Sequence, residues 1–448
     1  MAIKLINNIN DIHIDNTINL KNKTKYGEIF TDVSFVNKML DLFPMEVFKN
    51  SGLIWLDPCA GKGNYFICLY YRLLESLKDE IPNIETRKSH IIENMFYMIE
   101  INKQHIDYLK ILFGENANIY EKDFLLETKK YDVIIGNPPF NCCGSKKTPT
   151  NKNLSKKTDG LTIWPDFVRH AVYLLKDNGY LSFIHPAICM KPDKSGVYNI
   201  LCNYQVQKLH TLTNTEMNTI FHKQAQTPCI YYLLLKKPSN HIINIYDKHI
   251  NKYINYSMDK GTPIPMCAIS IINKMRSHLN KNTFLKVFKT NMPKKDILLY
   301  DTHGKKQIYK NIYTCVLKDN IPTLQVKYTE KPCVFYNQKK LVLAHGMYSY
   351  PYIDFKKEYG IANRDKYVIL RENDEELIKL YDFFNTKTMQ FLVQATRYRM
   401  MFLEKYLFEL IPDVSVLIKN KINDKSLAEF FNFDAQEINV LKLYQYDY

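Results

Sequence analysis

The chain reads as α/β: a doubly wound sheet over residues 1–240, followed by an irregular α+β domain over 241–448. Short apolar runs alternate with amphipathic helical stretches from Leu53 to Leu235, the pattern of strands buried by crossover helices on both faces. One of these units, Leu53 to Leu77, places a strand, a glycine-rich turn and a helix in immediate succession, which is how a doubly wound unit opens. The alternation stops at Lys237-Pro238-Ser239-Asn240, and the periodicity changes beyond it.

Taken in order, residues 1–23 are polar and asparagine-rich, a lead-in without the apolar stretch of a signal peptide. Residues 24–32 are turn-like and feed a helix over 33–43, with apolar residues at Val33, Val36, Met39, Leu40 and Phe43 and with Thr31 or Asp32 as its N-cap. A strand over 53–56 precedes a helix over 66–77. Further strands are expected over 94–101, 118–120 and 131–136, a helix over 164–175, and strands over 179–186, 206–212 and 229–235. In the second domain, strand-like runs at 297–299, 314–317, 333–336, 340–344 and 367–370 precede helices over 374–384 and 386–404. A small helical unit ends the chain, with Asp424 and Asp434 as N-caps and Glu437 completing an Asp-x-x-Glu box.

Composition narrows the function classes. With 46% hydrophobic residues in 448, the chain can build two cores. No run of roughly 18 apolar residues occurs, so no membrane span is expected. The ten cysteines show neither a Cys-x-x-Cys pair nor Cys/His zinc spacing, which reads as reduced thiols of an intracellular protein without a metal site. A net charge of +15 is the footprint of a polyanion binder. Residues 141–162 carry Lys146, Lys147, Lys152, Lys156 and Lys157 against Asp159 and read as a basic flap that closes on nucleic acid. The Lys-, Tyr- and His-rich second domain, with Arg397 and Arg399, suits phosphate contacts and base-edge reading.

The most specific stretch is Asn137-Pro138-Pro139-Phe140, where the apolar run 131–136 ends. Two prolines lock φ and remove two backbone donors, so the turn is stiff and presents carbonyl acceptors. Asn137 adds a side-chain oxygen and Phe140 a flat apolar face. Together they suit a planar ring bearing an exocyclic amine. Asp57-Pro58-Cys59-Ala60-Gly61-Lys62-Gly63 is the glycine-rich turn. Gly61 and Gly63 let a ligand approach the backbone, and Asp57 opposes a phosphate but suits a positive amine. Glu100, at the end of the second strand, is placed to hold ribose hydroxyls. Asp123 can accept from an adenine amine while Phe124 flanks the ring.

These residues resemble the S-adenosyl-L-methionine-dependent amino-methyltransferases, specifically the adenine-N6 DNA methyltransferases of the gamma arrangement, the Asn-Pro-Pro-Phe type found in type II restriction-modification systems. The order agrees: an N-terminal motif, the glycine-rich loop, the Asn-Pro-Pro-aromatic turn, then the recognition region. Gly27-Glu28-Ile29-Phe30-Thr31 resembles the N-terminal motif, with Asp32 where the family has Pro, and Tyr65 stands for the aromatic that closes the glycine-rich loop. Phe430-Phe431 and the segment Asp434 to Glu437 resemble the C-terminal helices of bacterial and phage members.

The resemblance implies a Rossmann-like methyltransferase sheet with a C-terminal target-recognition domain, and S-adenosyl-L-methionine as cofactor, held by Thr31, Asp57, Gly61, Gly63, Glu100, Asp123 and Phe124. Asn137, Pro138 and Phe140 would act on an adenine flipped from double-stranded DNA, with Pro139 and Phe221 against the base. It also implies an intracellular monomer, in a bacterial cytoplasm or that of a phage- or virus-infected host, with a separately encoded restriction endonuclease as its cognate. RNA adenine or a protein glutamine amide is the alternative acceptor, because the same turn can hold either.

Overall fold

The computed structural model describes residues 20–144, 161–318, 321–344, 346, 351–399 and 403–444. The expected basic flap falls mostly outside them. Two compact units emerge. One comprises the chain up to Tyr246 with Asn255–Lys260, the other Asp247–Ile254 with the chain from Gly261 onward.

A large sheet holds nine strands, β1 (Trp55–Asp57), β2 (Phe96–Glu100), β3 (Asn118–Glu121), β4 (Tyr131–Gly136), β5 (Leu175–Pro186), β6 (Tyr204–Leu212), β7 (Cys229–Pro238), β8 (Ile242–Asp247) and β9 (Lys252–Ser257). Their order is β9-β8-β6-β7-β5-β4-β1-β2-β3. β1 runs parallel to β2 and β4, β2 to β3 and β4 to β5, whereas β7 is antiparallel to both β5 and β6. The sheet is doubly wound and mixed, and the strand order reverses between β1 and β4. That reversal opens a crevice beyond the carboxyl ends of these strands, where ligands bind in open α/β sheets. Two strands, β8 and β9, follow the stretch 237–240 at which the sequence alternation stops.

The helices of this unit include α1 (Leu20–Tyr26), α2 (Val33–Leu40), α3 (Asn64–Ser76), α4 (Lys103–Phe113), α5 (Trp164–Leu174) and α6 (Asn214–Ile220). Asp32 caps α2, its carboxylate accepting from Ser34 N at 2.8 Å. The helix is shorter than its apolar spacing predicts, because Leu42 and Phe43 bury their side chains from a turn instead. Tyr65, Phe66, Ile67, Leu69 and Tyr70 of α3 are buried with Trp55, Met95 and Phe96 in one core, and the rings of Phe66 and Phe96 lie 4.3 Å apart. β2 starts at Phe96 rather than Asn94, since Ile91–Met95 forms a π-helical turn.

The second unit is α+β. β10 (Phe288–Lys289), β13 (Lys340–Leu343), β14 (Tyr352–Asp354) and β16 (Tyr367–Leu370) form an antiparallel sheet in the order β10-β16-β13-β14. A second sheet joins β11 (Tyr309–Lys318), β12 (Ile321–Thr329) and β15 (Tyr359–Ile361). Around them lie α7 (Ile269–Arg276), α8 (Asp374–Phe384), α9 (Lys387–Gln394), α10 (Asp424–Phe430) and α11 (Ala435–Leu443).

Several expectations are corrected here. Residues 297–299 and 333–336 are not strands. Ile297 closes a turn onto Lys294 O, and Tyr336 closes one onto Cys333 O with Phe335 in the left-handed region at φ 62°. The helix expected over 386–404 stops at Gln394, where tertiary contacts take over: Ala395 O accepts from Met266 N and the Tyr398 hydroxyl donates to Ile264 O. Asn423, not Asp424, caps α10. The Asp424 carboxylate instead accepts from Lys387 N, Thr388 N and the Thr388 hydroxyl at the start of α9. Asp434 does cap α11 and forms the box with Glu437.

Lys340 and Asp354 pair at 2.6 Å between adjacent antiparallel strands, and both are fully buried. Asp354 also accepts from Glu358 N and Tyr359 N. Removing one member strands a buried charge, so Asp354→Ala should cost about 3–5 kcal/mol, read as a shift in the urea unfolding of this unit.

Candidate active site

A cavity of about 850 Å³ lies at the reversal point of the sheet, within the range of small-molecule sites. Its walls are the loops that follow β1, β2, β3 and β4, the loop 221–227 ahead of β7, and the extended segment 27–31 between α1 and α2. Parallel strands deliver their carboxyl ends to one edge, so four loops far apart in sequence meet there.

The turn after β4 is fixed from three sides. The Asn137 amide nitrogen donates to Thr31 Oγ1 at 3.1 Å and to Ile29 O at 3.4 Å. With its donors engaged on segment 27–31, the side chain keeps Oδ1 as the atom that can accept from a ligand. Asn137 O accepts from the Cys59 thiol at 3.2 Å. A Cβ at Gly136 would lie 3.1 Å from Asp57 Oδ1 and 3.2 Å from Pro58 Cδ, so β4 passes directly against the loop after β1. Phe140 packs against the main core with part of its ring in the cavity. On the far side, a Cβ at Gly27 would fall 2.0 Å from Asn141 O and 3.0 Å from Pro139 Cβ. Gly27, at φ 74°, has both a left-handed conformation and a contact that exclude a side chain.

Carboxylates and turned backbone make up the opposite wall. Glu100 Oε2 accepts from Gly61 N, and Oε1 accepts from Ile101 N and Asn102 N, each at 2.8 Å. Asp123 caps the short helix Phe124–Leu126 through one oxygen, taking Leu125 N at 2.9 Å. Phe124 is buried against Phe167 and His170, with ring centroids 5.1 and 5.0 Å away. Phe221 is 3% exposed and meets Phe35 edge-on at 6.0 Å.

Residues 7–221 match the profile of the Eco57I restriction-modification methylase family. This match lies within the unit that holds the cavity. A Mycoplasma pneumoniae protein described as an uncharacterized adenine-specific methylase is 40% identical over 79 residues, which are 17% of this chain and 19% of that protein. The type II methyltransferase M.VspI of a Vibrio species is 29% identical over 173 residues, 36% of this chain and 37% of that protein. The chain thus spans well under half the length of these curated relatives. Among solved structures, the type IIL restriction-modification enzyme MmeI, determined in complex with DNA, aligns over 96% of this chain and 78% of its own with a TM-score of 0.51 and 14% identity. That likeness is one of fold, and it extends through both units.

Within this methylase fold, Thr31, Gly61, Glu100, Asp123, Phe124, Asn137, Pro138, Pro139, Phe140 and Phe221 all border the cavity. Asp57 and Gly63 lie behind its wall. Gly63, at φ 83°, opens α3, and a Cβ there would meet Leu109 and Phe113 of α4 at 2.9 Å. Its conformation and packing account for it without a ligand. Asp57 is completely buried: Oδ1 accepts from Cys59 N at 3.1 Å, and Oδ2 has no partner among the described residues. Sequence reasoning placed Glu28 in the N-terminal motif without a role of its own and passed over His105; the two border the cavity and pair at 2.6 Å. For His105 the one signal available was Asn102 three residues before it, an N-cap that orients the first turn of α4.

Burial raises the Asp57 carboxyl to about 8, the hydrogen bond from Cys59 N lowers it, and nearby Glu100 adds to the rise. The group therefore favours its neutral form in the folded protein. Its contribution to stability is complete below an ordinary carboxyl pKa near 4 and is lost as pH rises through about 8. Thermal melts of ligand-free protein should show Asp57→Asn gaining on the wild type steadily across that interval, with no such trend below it.

Proposed function

We propose that the chain is a DNA methyltransferase that moves a methyl group from S-adenosyl-L-methionine to the N6 amine of an adenine flipped out of duplex DNA. The observation that carries this reading is the Asn137 amide, whose donors are tied to Thr31 and Ile29 and whose acceptor oxygen is thereby left for a substrate amine. The second unit, from about residue 261 to the end, is assigned to target recognition. The match of residues 7–221 to a restriction-modification methylase family and the net charge of +15 support nucleic acid as the polymer bound. We assign the chain as an intracellular monomer with a separately encoded endonuclease as its cognate.

The donor set fits the cofactor. Glu100 and Asp123, at and just beyond the carboxyl ends of β2 and β3, border the cavity and offer acceptors for the hydroxyls and amine of a nucleoside. Glu100 would hold the ribose, Asp123 and Phe124 the adenine ring, and the backbone near Thr31 and Gly61 the methionine portion, with Gly63 shaping the turn. When bound, S-adenosyl-L-methionine supplies an electrophilic methyl group on a sulfonium.

An adenine amine is a poor nucleophile because its lone pair is delocalised into the ring. The Asn137 Oδ1 atom and the Pro138 carbonyl accept its two hydrogens, which draws the nitrogen toward a tetrahedral shape. The same two acceptors stabilise the positive charge that develops on that nitrogen. Phe140, with Pro139 and Phe221 on the same cavity wall, would hold the extruded ring by apolar contact and keep the amine in line. No general base is needed before attack, since the proton leaves from an already cationic nitrogen.

Methyl transfer from radiolabelled S-adenosyl-L-methionine to unmethylated duplex DNA, followed by nucleoside analysis, tests the reading. Label should appear in N6-methyladenine and fall at least about a hundredfold with Asn137→Ala, the scale for loss of one preorganised polar group in a transition state. Cofactor binding should survive that substitution. Label in RNA or in a protein glutamine instead of DNA would reassign the acceptor, and near-normal turnover in Asn137→Ala would remove the assigned mechanism.

A further inference from the structure

We propose that Glu28 and His105 are positioning residues for cofactor binding, a paired latch that holds segment 27–31 across the cleft over Gly61 and Glu100. The proposal rests on the methyl-transfer reading above, and it assigns a role to two residues outside the machinery described there.

The pair joins elements far apart in the chain. Glu28 belongs to the extended segment between α1 and α2, which joins no helix or strand. His105 sits in the first turn of α4. Their side chains meet at 2.6 Å, each with only 9% exposure. A hydrogen bond so shielded from water is worth more than the same contact on the surface. Asn102 extends the contact: its side-chain nitrogen reaches the same Glu28 oxygen at 3.5 Å, while its backbone N–H donates to Glu100 Oε1 at 2.8 Å. Glu28 is thus connected, through one residue, to the carboxylate assigned to the ribose.

What the latch holds in place is the roof of the site. Phe30 stands edge-on to His105 at 5.7 Å, and its ring comes within 3.5 Å of where a Cβ on Gly61 would be. Thr31 follows, with its carbonyl accepting from Asn64 at 2.6 Å and its hydroxyl engaged by Asn137. An extended segment without ladder hydrogen bonds has little of its own to define its path. Side-chain anchors at both ends supply that definition, Glu28 on α4 and Thr31 on α3 and the β4 turn. The latch therefore lowers the ordering cost of binding, and its loss should appear in affinity rather than in chemistry.

Calorimetric titration of S-adenosyl-L-methionine into the wild type, Glu28→Ala, Glu28→Gln and His105→Ala tests this, alongside melts of the ligand-free proteins. Each alanine variant should bind roughly tenfold more weakly, the scale of one lost hydrogen bond to a charged group. The double variant should be little worse than either single one, and Glu28→Gln, whose amide oxygen can still accept from His105, should recover most of the affinity. KM for the cofactor should rise with Kd while kcat at saturation holds. Unchanged affinity in both alanine variants, or an equal fall in kcat, overturns the latch. Should Glu28→Ala not fold, Glu28→Asp retains the charge but shortens the reach, and is expected to bind more weakly with an unchanged circular dichroism spectrum. Wild-type protein that binds no S-adenosyl-L-methionine overturns the methyl-transfer reading and the latch together, a result distinct from wild-type binding that the variants leave unaltered.

Discussion

The backbone of β4 passes so close to the loop after β1 that a Cβ at position 136 would stand 3.1 Å from Asp57 and 3.2 Å from Pro58, tighter than an ordinary van der Waals contact. This contact joins the two parts of the site. The loop 58–62 belongs to one sheet crossover and the turn 137–140 to another, and they become one surface because β1 and β4 are parallel neighbours. The Cys59 thiol, donating to Asn137 O, secures the junction by side chain. A rigid junction matters to any two-ligand reaction, since a misplacement of about 1 Å between reacting groups can cost on the order of a hundredfold in rate.

Charge is distributed with the same logic. The chain carries 61 Lys and Arg against 46 Asp and Glu, and the cavity wall mixes Glu28, Glu100 and Asp123 with Lys23, Lys25, Lys62, Lys122 and Lys223, while Asp57 lies behind it. Three backbone N–H groups face the Glu100 carboxylate. Asp57 has only one such donor and answers burial by favouring its proton.

The sheet was legible in the sequence because burial on both faces forces continuous apolar runs, and β4 was expected over 131–136, where the structure places it. The junctions were less so. The π-helical turn at Ile91–Met95 is as apolar as the strand that follows it, so composition does not separate them. Around Cys333–Tyr336 a left-handed Phe335 ends what the residue types alone would extend. Asp424 resembles a cap by type and position, but Asn423 beside it takes that role, and the Asp424 carboxylate turns to α9. In each case several residue types satisfy the local pattern, and a contact distant in sequence chooses among them.

The sequence by itself determined the alternation of strands and helices, the stiff Asn137-Pro138-Pro139-Phe140 turn and the acids at strand ends, because φ restriction and apolar periodicity are local properties. Only the tertiary structure decided which of those acids face the cavity. Asp57 and Glu100 both stand at the carboxyl end of a buried strand, yet one is sealed behind the wall and the other borders the ligand space. It also decided that Glu28 and His105, 77 positions apart, meet at 2.6 Å. Neither fact has a signature along the chain, because each depends on how parallel strands and their crossovers bring distant loops to one edge of the sheet.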